Sequence, residues 1–225
     1  MLMENNVNEV KIVCDGNLYE TVKASVGDKE GVELFDMQQD GLPALGDNAI
    51  VVAIAATSAM LAKTMRKAEA RQALLVPILV VDEDKQAEST EPPMLTVEKS
   101  RFNSEKELYA FLGRIIDSLQ GVDISDFGFI MNEPGRLFFA YAEGESLEII
   151  ADKLQDSLKA HDDICAASKA VLAMYSIADA DAFDSEKLSS WLKGLHAIFG
   201  ESCGFIDDVR DGSLKNSSVA MWAKL

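Results

Sequence analysis

Several groups of side chains in this 225-residue sequence have types and spacings that could do chemistry. Thr57-Ser58 stand immediately before Met60 to Gln72, a stretch of high helix propensity. Two hydroxyls at a helix start, with the free N–H groups and the helix dipole behind them, favour an anion; simple N-capping is the plainer alternative. Asp123 and Asp126 place two carboxylates three residues apart in a D-I-S-D segment, which reads locally as a turn and a cap. Asp179, Asp181 and Asp184 alternate in a way that suits Ca²⁺, yet the run lacks the glycine and the terminal Glu of an EF-hand loop, so it reads as a turn cluster before a helix. Lys63, Arg66, Lys67 and Arg71 form the basic stretch of an acidic chain, as a solvated helix face or as a docking patch for an acidic partner or another copy's acidic surface. His161 and His196 have no neighbouring Ser, Cys or Asp grouping that suggests a triad or a metal site. Cys14, Cys165 and Cys203 are odd in number and widely spaced, which excludes a disulfide framework and a zinc site.

Charge narrows the classes of partner. Twenty-one basic residues against 38 acidic ones give a formal charge of −17. Such a surface repels phosphate backbones and anionic lipid, so neither nucleic acid nor membrane is an expected partner. Met1 to Glu9 lacks the basic-then-apolar pattern of a signal peptide, and the longest apolar run, Ala49 to Ala56, is too short to span a bilayer. The chain reads as cytoplasmic. Hydrophobic residues at 48% and charged residues at 26% exclude disorder over most of its length.

The elements that must position these groups read as follows. Val10 to Cys14 and Leu18 to Val22 are short β-like runs around Asp15-Gly16-Asn17, a hairpin signal. Val32 to Phe35 is a further short strand. Ala49 to Ala55 and Leu74 to Val81 are unbroken apolar runs, as expected for strands covered on both faces. With the helix between them they make a parallel βαβ crossover. Asp82 to Glu98, with its acids and Pro92-Pro93, reads as a linker or an exposed loop. Ser104-Glu105-Lys106-Glu107 is a capping box opening a long amphipathic helix to Gln120, with Gly121 as its closing glycine. Strands follow at Phe127 to Met131 and Leu137 to Tyr141, then a helix from Ser146 to about Ala160 and a strand at Lys169 to Ile177. An amphipathic helix from Ser185 to Phe199 ends at Gly200, and strands at Gly204 to Val209 and Ser217 to Lys224 complete an α/β unit whose helices cover one sheet face.

This order resembles the FtsZ/tubulin superfamily over about residues 45–225. Leu45 to Ala55 looks like the strand that enters the family's glycine-rich phosphate loop. Leu74 to Val81 looks like the strand after it, and Asn103 to Gln120 like the long central helix. Gly121-Val122-Asp123-Ile124-Ser125-Asp126 is similar to the family's N-[VL]-D-F-A-D loop, whose acids reach the nucleotide of the next subunit. The resemblance implies a reduced Rossmann-like α/β domain over 1–100, a central connecting helix over 101–121, and an α/β domain of FtsZ/tubulin C-terminal type over 122–225.

It also implies site residues. Asp123 and Asp126 would keep the two acidic positions that polarise the attacking water in trans, and Thr57 and Ser58 would face the phosphates. The sequence departs from the family at the loop itself. Where G-G-G-T-G-T-G is expected, Ala55 to Leu61 reads Ala-Ala-Thr-Ser-Ala-Met-Leu, and side chains there block close approach of backbone N–H groups to phosphate. The family's first glycine-rich turn is missing too, and residues 1–44 are few for the usual opening elements. The expected protein is therefore a cytoskeletal, FtsZ-like structural or regulatory component with a degenerate GTP site and no bound cofactor. It would associate with itself or with an intact FtsZ-like partner. The alternatives are a divergent GTPase using GTP with Mg²⁺ through Asp123 and Asp126, and an unrelated α/β binding module. In the first reading both aspartates are exposed and dispensable for folding.

Overall fold

The computed structural model describes residues 8–38, 40, 44, 49–69, 74–82, 92–132, 134–159, 161–177, 185–200, 202–211 and 216–225. They fall into two units, Met1–Arg136 and Leu137–Leu225.

The first unit is built on parallel strands. β1 (Glu9–Cys14), β2 (Val32–Asp36), β3 (Ala49–Ala55), β4 (Leu74–Val81) and β5 (Met94–Glu98) lie in the order β2-β1-β3-β4-β5. Every residue of β3 is buried, which is why that segment is a continuous apolar run. In register, Val52 sits between Ile12 of β1 and Val76 of β4. The helices are α1 (Tyr19–Val26), α2 (Ser58–Glu69), α3 (Glu105–Gly121) and α4 (Ile124–Met131). Right-handed crossovers that step outward in opposite directions from β1 and β3 put α1 and α2 on opposite sheet faces. Leu61 of α2 joins Val13, Val51, Ala53, Ala55, Leu75 and Leu79 in one core layer. The other parity, Val10, Ile12, Ile50, Val52, Ile54, Val76 and Ile78, is wholly buried on the opposite side, that of α1 and α3.

α3 starts as the sequence predicts. Ser104 Oγ accepts from Glu107 N at 3.3 Å, while Glu107 Oε2 accepts from Asn103 N at 2.9 Å, one residue before the usual box partner. Leu108, Leu112, Ile115, Ile116 and Leu119 line its buried side. Gly113 lets α1 come close, since a Cβ there would lie 2.9 Å from Ser25 O.

In the second unit, β6 (Arg136–Gly144), β7 (Ala170–Ile177), β8 (Gly204–Asp211) and β9 (Ser217–Lys224) lie in the order β6-β9-β7-β8. β9 is antiparallel to both β6 and β7, and β8 is parallel to β7. α5 (Leu147–Lys159), α6 (Asp162–Ala167) and α7 (Ser185–Phe199) share one face. Their Ile150, Leu154, Leu158, Cys165, Leu195 and Phe199 pack on Ala140, Val171, Ala173, Val219, Met221 and Ala223. Gly200, at φ 80°, ends α7 in the left-handed conformation that glycine reaches without strain.

The fold class agrees with the sequence reading, and five local expectations do not. Leu18 to Val22 is the start of a helix rather than a second hairpin strand, so the first forty residues hold a βαβ unit. The expected linker contains β5. Phe127 to Met131 is helical, being most of α4. Gly121 lies inside α3, and the cap residue Val122 has extended backbone. A short helix, α6, stands where none was expected. Residues 41–43 and 212–215 lie outside the described residues.

Candidate functional site

In open α/β sheets, ligands bind at the carboxyl ends of the strands where the order reverses. Here that point lies between β1 and β3. β1 runs into Asp15-Gly16-Asn17, a single 3-10 turn (Gly16–Leu18) that leads into α1. Asp15 N donates to Ile54 O at 2.9 Å, tying the turn to β3. The Asp15 side chain is 1% exposed, accepting from Asn17 N at 3.3 Å and facing Gln38 Nε2 at 3.5 Å. Gly16 leaves room for Asp36, whose Oδ2 would be 3.3 Å from a Cβ placed there. Asp36 Oδ1 in turn accepts from Gln38 N at 2.8 Å, and Asp40 Oδ2 accepts from Asp36 N at 2.9 Å. Beneath them, burial first and the charges of Asp36 and Asp15 second push the Cys14 thiol up to about 12. It stays protonated and is no nucleophile at neutral pH.

The other strands end in the same chemistry. Asp36 is the last residue of β2, Asp82 follows β4 and Glu98 closes β5. Asp82 pairs with Lys99 at 2.9 Å and Glu98 with Arg101 at 2.7 Å. β3 is the exception, running through Ala56 to Thr57-Ser58. Thr57 Oγ1 accepts from Met60 N at 3.4 Å and Thr57 O from Leu61 N at 3.2 Å, so Thr57 caps α2. Ser58 is exposed at the first helical position. Lys63 and Arg66 are exposed further along α2; the side chain of Lys67, and Arg71, lie outside the described residues.

Asp123 and Asp126 lie at the opposite end of the first unit. Asn8, just before β1, donates from Nδ2 to Leu119 O and Val122 O and from its backbone N to Gln120 O at 2.9 Å. The end of α3, and the loop after it, are thereby fixed at the amino edge of the sheet. Asp123 is the N-cap of α4: Oδ1 accepts from Ser125 N at 2.8 Å, from Asp126 N at 3.3 Å and from the Ser125 hydroxyl. It is exposed and Asp126 is half-buried. The structure thus keeps these acids far from Thr57 and Ser58 within one chain.

The second unit brings together a group that the sequence does not reveal. Asp207 on β8 accepts from Tyr175 OH at 3.0 Å through Oδ1, and its Oδ2 lies 2.9 Å from His196 Nε2. Burial first, then the Asp207 charge, hold the Tyr175 phenol well above its usual range. His196 also stacks on Phe205 at 3.9 Å between ring centroids, and Trp191 packs edge-on against Tyr175 at 5.1 Å. Adjacency of β7 and β8 creates this group, and strand order is not written in any local pattern. It contains neither a Ser nor a Cys side chain. His161 packs against Phe138, and Asp179, Asp181 and Asp184 lie outside the described residues. Among the described residues no cluster of His, Cys, Asp and Glu could hold a metal ion, and no helix is long and apolar enough to cross a membrane.

Comparison with solved structures defines the class of fold. The chain superposes on FtsZ of M. jannaschii with a TM-score of 0.67 at 11% identity, over 97% of this chain and 88% of that one. CetZ from Methanosaeta thermophila gives 0.65 at 11% identity, covering 97% and 86%. TubZ of Bacillus thuringiensis serovar israelensis, solved as GDP-form protofilaments, gives 0.58 at 8% identity, covering 98% and 90%. No protein-family model matches the sequence, and no curated protein matches it. The fold is FtsZ/tubulin-like. The likeness is one of topology, and it extends over nearly the whole chain.

Proposed function

We propose that the chain is an FtsZ/tubulin-like structural or regulatory protein that acts by association, with itself or with an intact FtsZ-like partner, and does not use GTP. One observation carries this reading. At the switch point where a triphosphate would lie, the turn after β1 offers carboxylates, and the loop after β3 offers a threonine already engaged as a helix cap. Asp15 is buried there, Asp36 sits over Gly16, and Ala55 to Leu61 contains no glycine. A phosphate chain of several negative charges brought against Asp15, Asp36 and Asp40 meets like charge in a partly desolvated place, which costs rather than stabilises. These residues do not fit GTP.

Polarity supports association. The capped Asp123 loop and the strand-end turns occupy opposite edges of the first unit, as a head-to-tail contact requires. The protofilament state belongs to TubZ; its bearing on this chain is by likeness of fold. The second reading, a divergent GTPase, draws on Asp123 and Asp126 standing directly after the central helix.

Titration with a fluorescent guanine nucleotide and Mg²⁺, run beside light scattering, separates the two. The expected outcome is no binding at a Kd of about 1 μM or better, with scattering that grows with protein concentration whether or not GTP is present. Tight GTP binding followed by hydrolysis that Asp123→Ala or Asp126→Ala abolishes would instead establish the GTPase.

A further inference from the structure

We propose that the outer edge of β8 takes up an extended segment of a basic, partly apolar partner protein as an added strand. This does not depend on how copies of the chain associate. In the order β6-β9-β7-β8, β8 has β7 on one side and no strand on the other among the described residues. It keeps unbroken register with β7 over its whole length, from Ala170 opposite Gly204 to Ile177 opposite Asp211. Three devices that blunt natural sheet edges are missing. Gly-Phe-Ile-Asp-Asp-Val-Arg-Asp holds no Pro and no Lys, and its register holds no bulge.

Backbone groups of successive strand residues point to opposite edges. Gly204 N donates to Lys169 O at 3.0 Å, towards β7, so Ile206 and Asp208 also turn their backbone groups to β7. The N–H and C=O groups of Phe205, Asp207 and Val209 therefore face outward. The side chains of these three residues share the α7 face. Phe205 stacks with His196, Asp207 bonds Tyr175, and Val209 is 45% exposed, more than any other large hydrophobic residue among those described. Ile206 and Asp208 lie on the other face, both half-buried. An incoming strand thus meets a ladder of donors and acceptors, an apolar row at Phe205 and Val209, and a carboxylate on the reverse side.

Charge selects the occupant. β8 carries Asp207, Asp208 and Asp211 against Arg210 alone. A second copy of β8, paired antiparallel through the same outward groups, suits it badly. The two registers of longest overlap set Asp207 or Asp208 directly against its own counterpart, and like charges so placed destabilise a pair. A segment alternating β-branched residues with a central Lys or Arg suits both faces, its apolar side chains beside Phe205 and Val209 and its cation opposite Asp208.

The probe is a fluorescein-labelled peptide, Lys-Val-Thr-Val-Lys-Val-Thr-Val-Lys, titrated with the intact protein and followed by fluorescence anisotropy. Binding is expected with a Kd of about 10–100 μM at low salt. Val209→Pro removes an outward N–H that β7 does not use, a place where an edge strand tolerates proline. It should weaken binding about tenfold or more, as should the same peptide N-methylated at its two central valines, which tests the ladder on the unaltered protein. Asp208→Asn should weaken binding and flatten its dependence on salt. No binding of the parent peptide, or equal binding of the N-methylated one, overturns the proposal, since charge alone would then hold the peptide. Binding that Asp208→Asn leaves unchanged overturns the choice of a basic partner. Dimerisation of the wild type that Val209→Pro abolishes, seen by sedimentation velocity, would give the edge to a second copy instead.

Discussion

Asn8 Nδ2 lies 2.7 Å from the carbonyl oxygen of Val122, 114 residues further along the chain, and 3.0 Å from that of Leu119. One buried amide thus satisfies carbonyls that the end of α3 leaves without intrahelical partners. It also fixes the direction in which the chain leaves α3 towards Asp123.

Asn8→Ala should therefore cost about 1–3 kcal/mol, because two buried carbonyls lose their donor. Denaturant melts measure the loss. Hydrogen exchange should show faster opening at the end of α3 and through Asp123, with α7 unchanged. Equal protection across both units would sever the link between Asn8 and the loop.

The aspartate pair should divide. Asp123→Ala removes the cap of α4 and should destabilise by about 0.5–2 kcal/mol, whereas Asp126→Asn should stay within about 0.5 kcal/mol. The sequence alone led to the expectation that both are dispensable for folding; the cap geometry separates them. Indistinguishable melts for the two variants would return Asp123 to a merely exposed position.

Gly113→Ala puts a Cβ 2.9 Å from Ser25 O, a backbone atom that cannot swing away. The helices α1 and α3 must part to admit it, at about 1–3 kcal/mol. Gly128→Ala, where nothing lies within 4 Å, should be neutral or slightly stabilising by helix propensity. A Gly113→Ala variant as stable as the wild type in denaturant melts would mean that the α1–α3 packing is looser than described.

Stability should decline in alkali. The folded-state pKa of Cys14 is raised from 9.0 to about 12, so the folded chain keeps a proton that the unfolded chain releases. Its contribution is complete below pH 9 and is lost as pH rises from there towards 12. Tyr175, also raised, acts in the same sense above pH 10. Cys14→Val should flatten the fall in melting temperature above pH 9. Free reaction of Cys14 with a thiol reagent at neutral pH would contradict its burial.

Much of the fold was legible because burial writes itself into pattern. Ala49 to Ala55 and Leu74 to Val81 are apolar throughout because both faces are covered, and Ser185 to Phe199 shows the helical period between a serine and a glycine. α1 was misread because Thr21, Val22 and Val26 are β-branched and Asp-Gly-Asn imitates a hairpin turn. Leu18, Val22 and Val26, four residues apart, were the helical signal. α4 is apolar on nearly every side, and periodicity does not separate such a run from a strand; the cap in Asp-Ile-Ser-Asp was the local sign that a helix follows. The strand-end carboxylates and the Tyr175–Asp207–His196 group become visible only when distant strands are set side by side.

The position of β9 bears on how the chain is made. The parallel sheet of the first unit is complete once β5 has emerged from the ribosome, and α3 can cover it soon after. In the second unit, the strand that joins β6 to β7 is the one synthesised last, with Val219, Met221, Trp222 and Ala223 wholly inaccessible in the finished protein. Until those residues are translated, β6 and β7 have no common neighbour and the nascent half carries two unmated strand edges. The first unit can fold during synthesis; the second waits for its final strand.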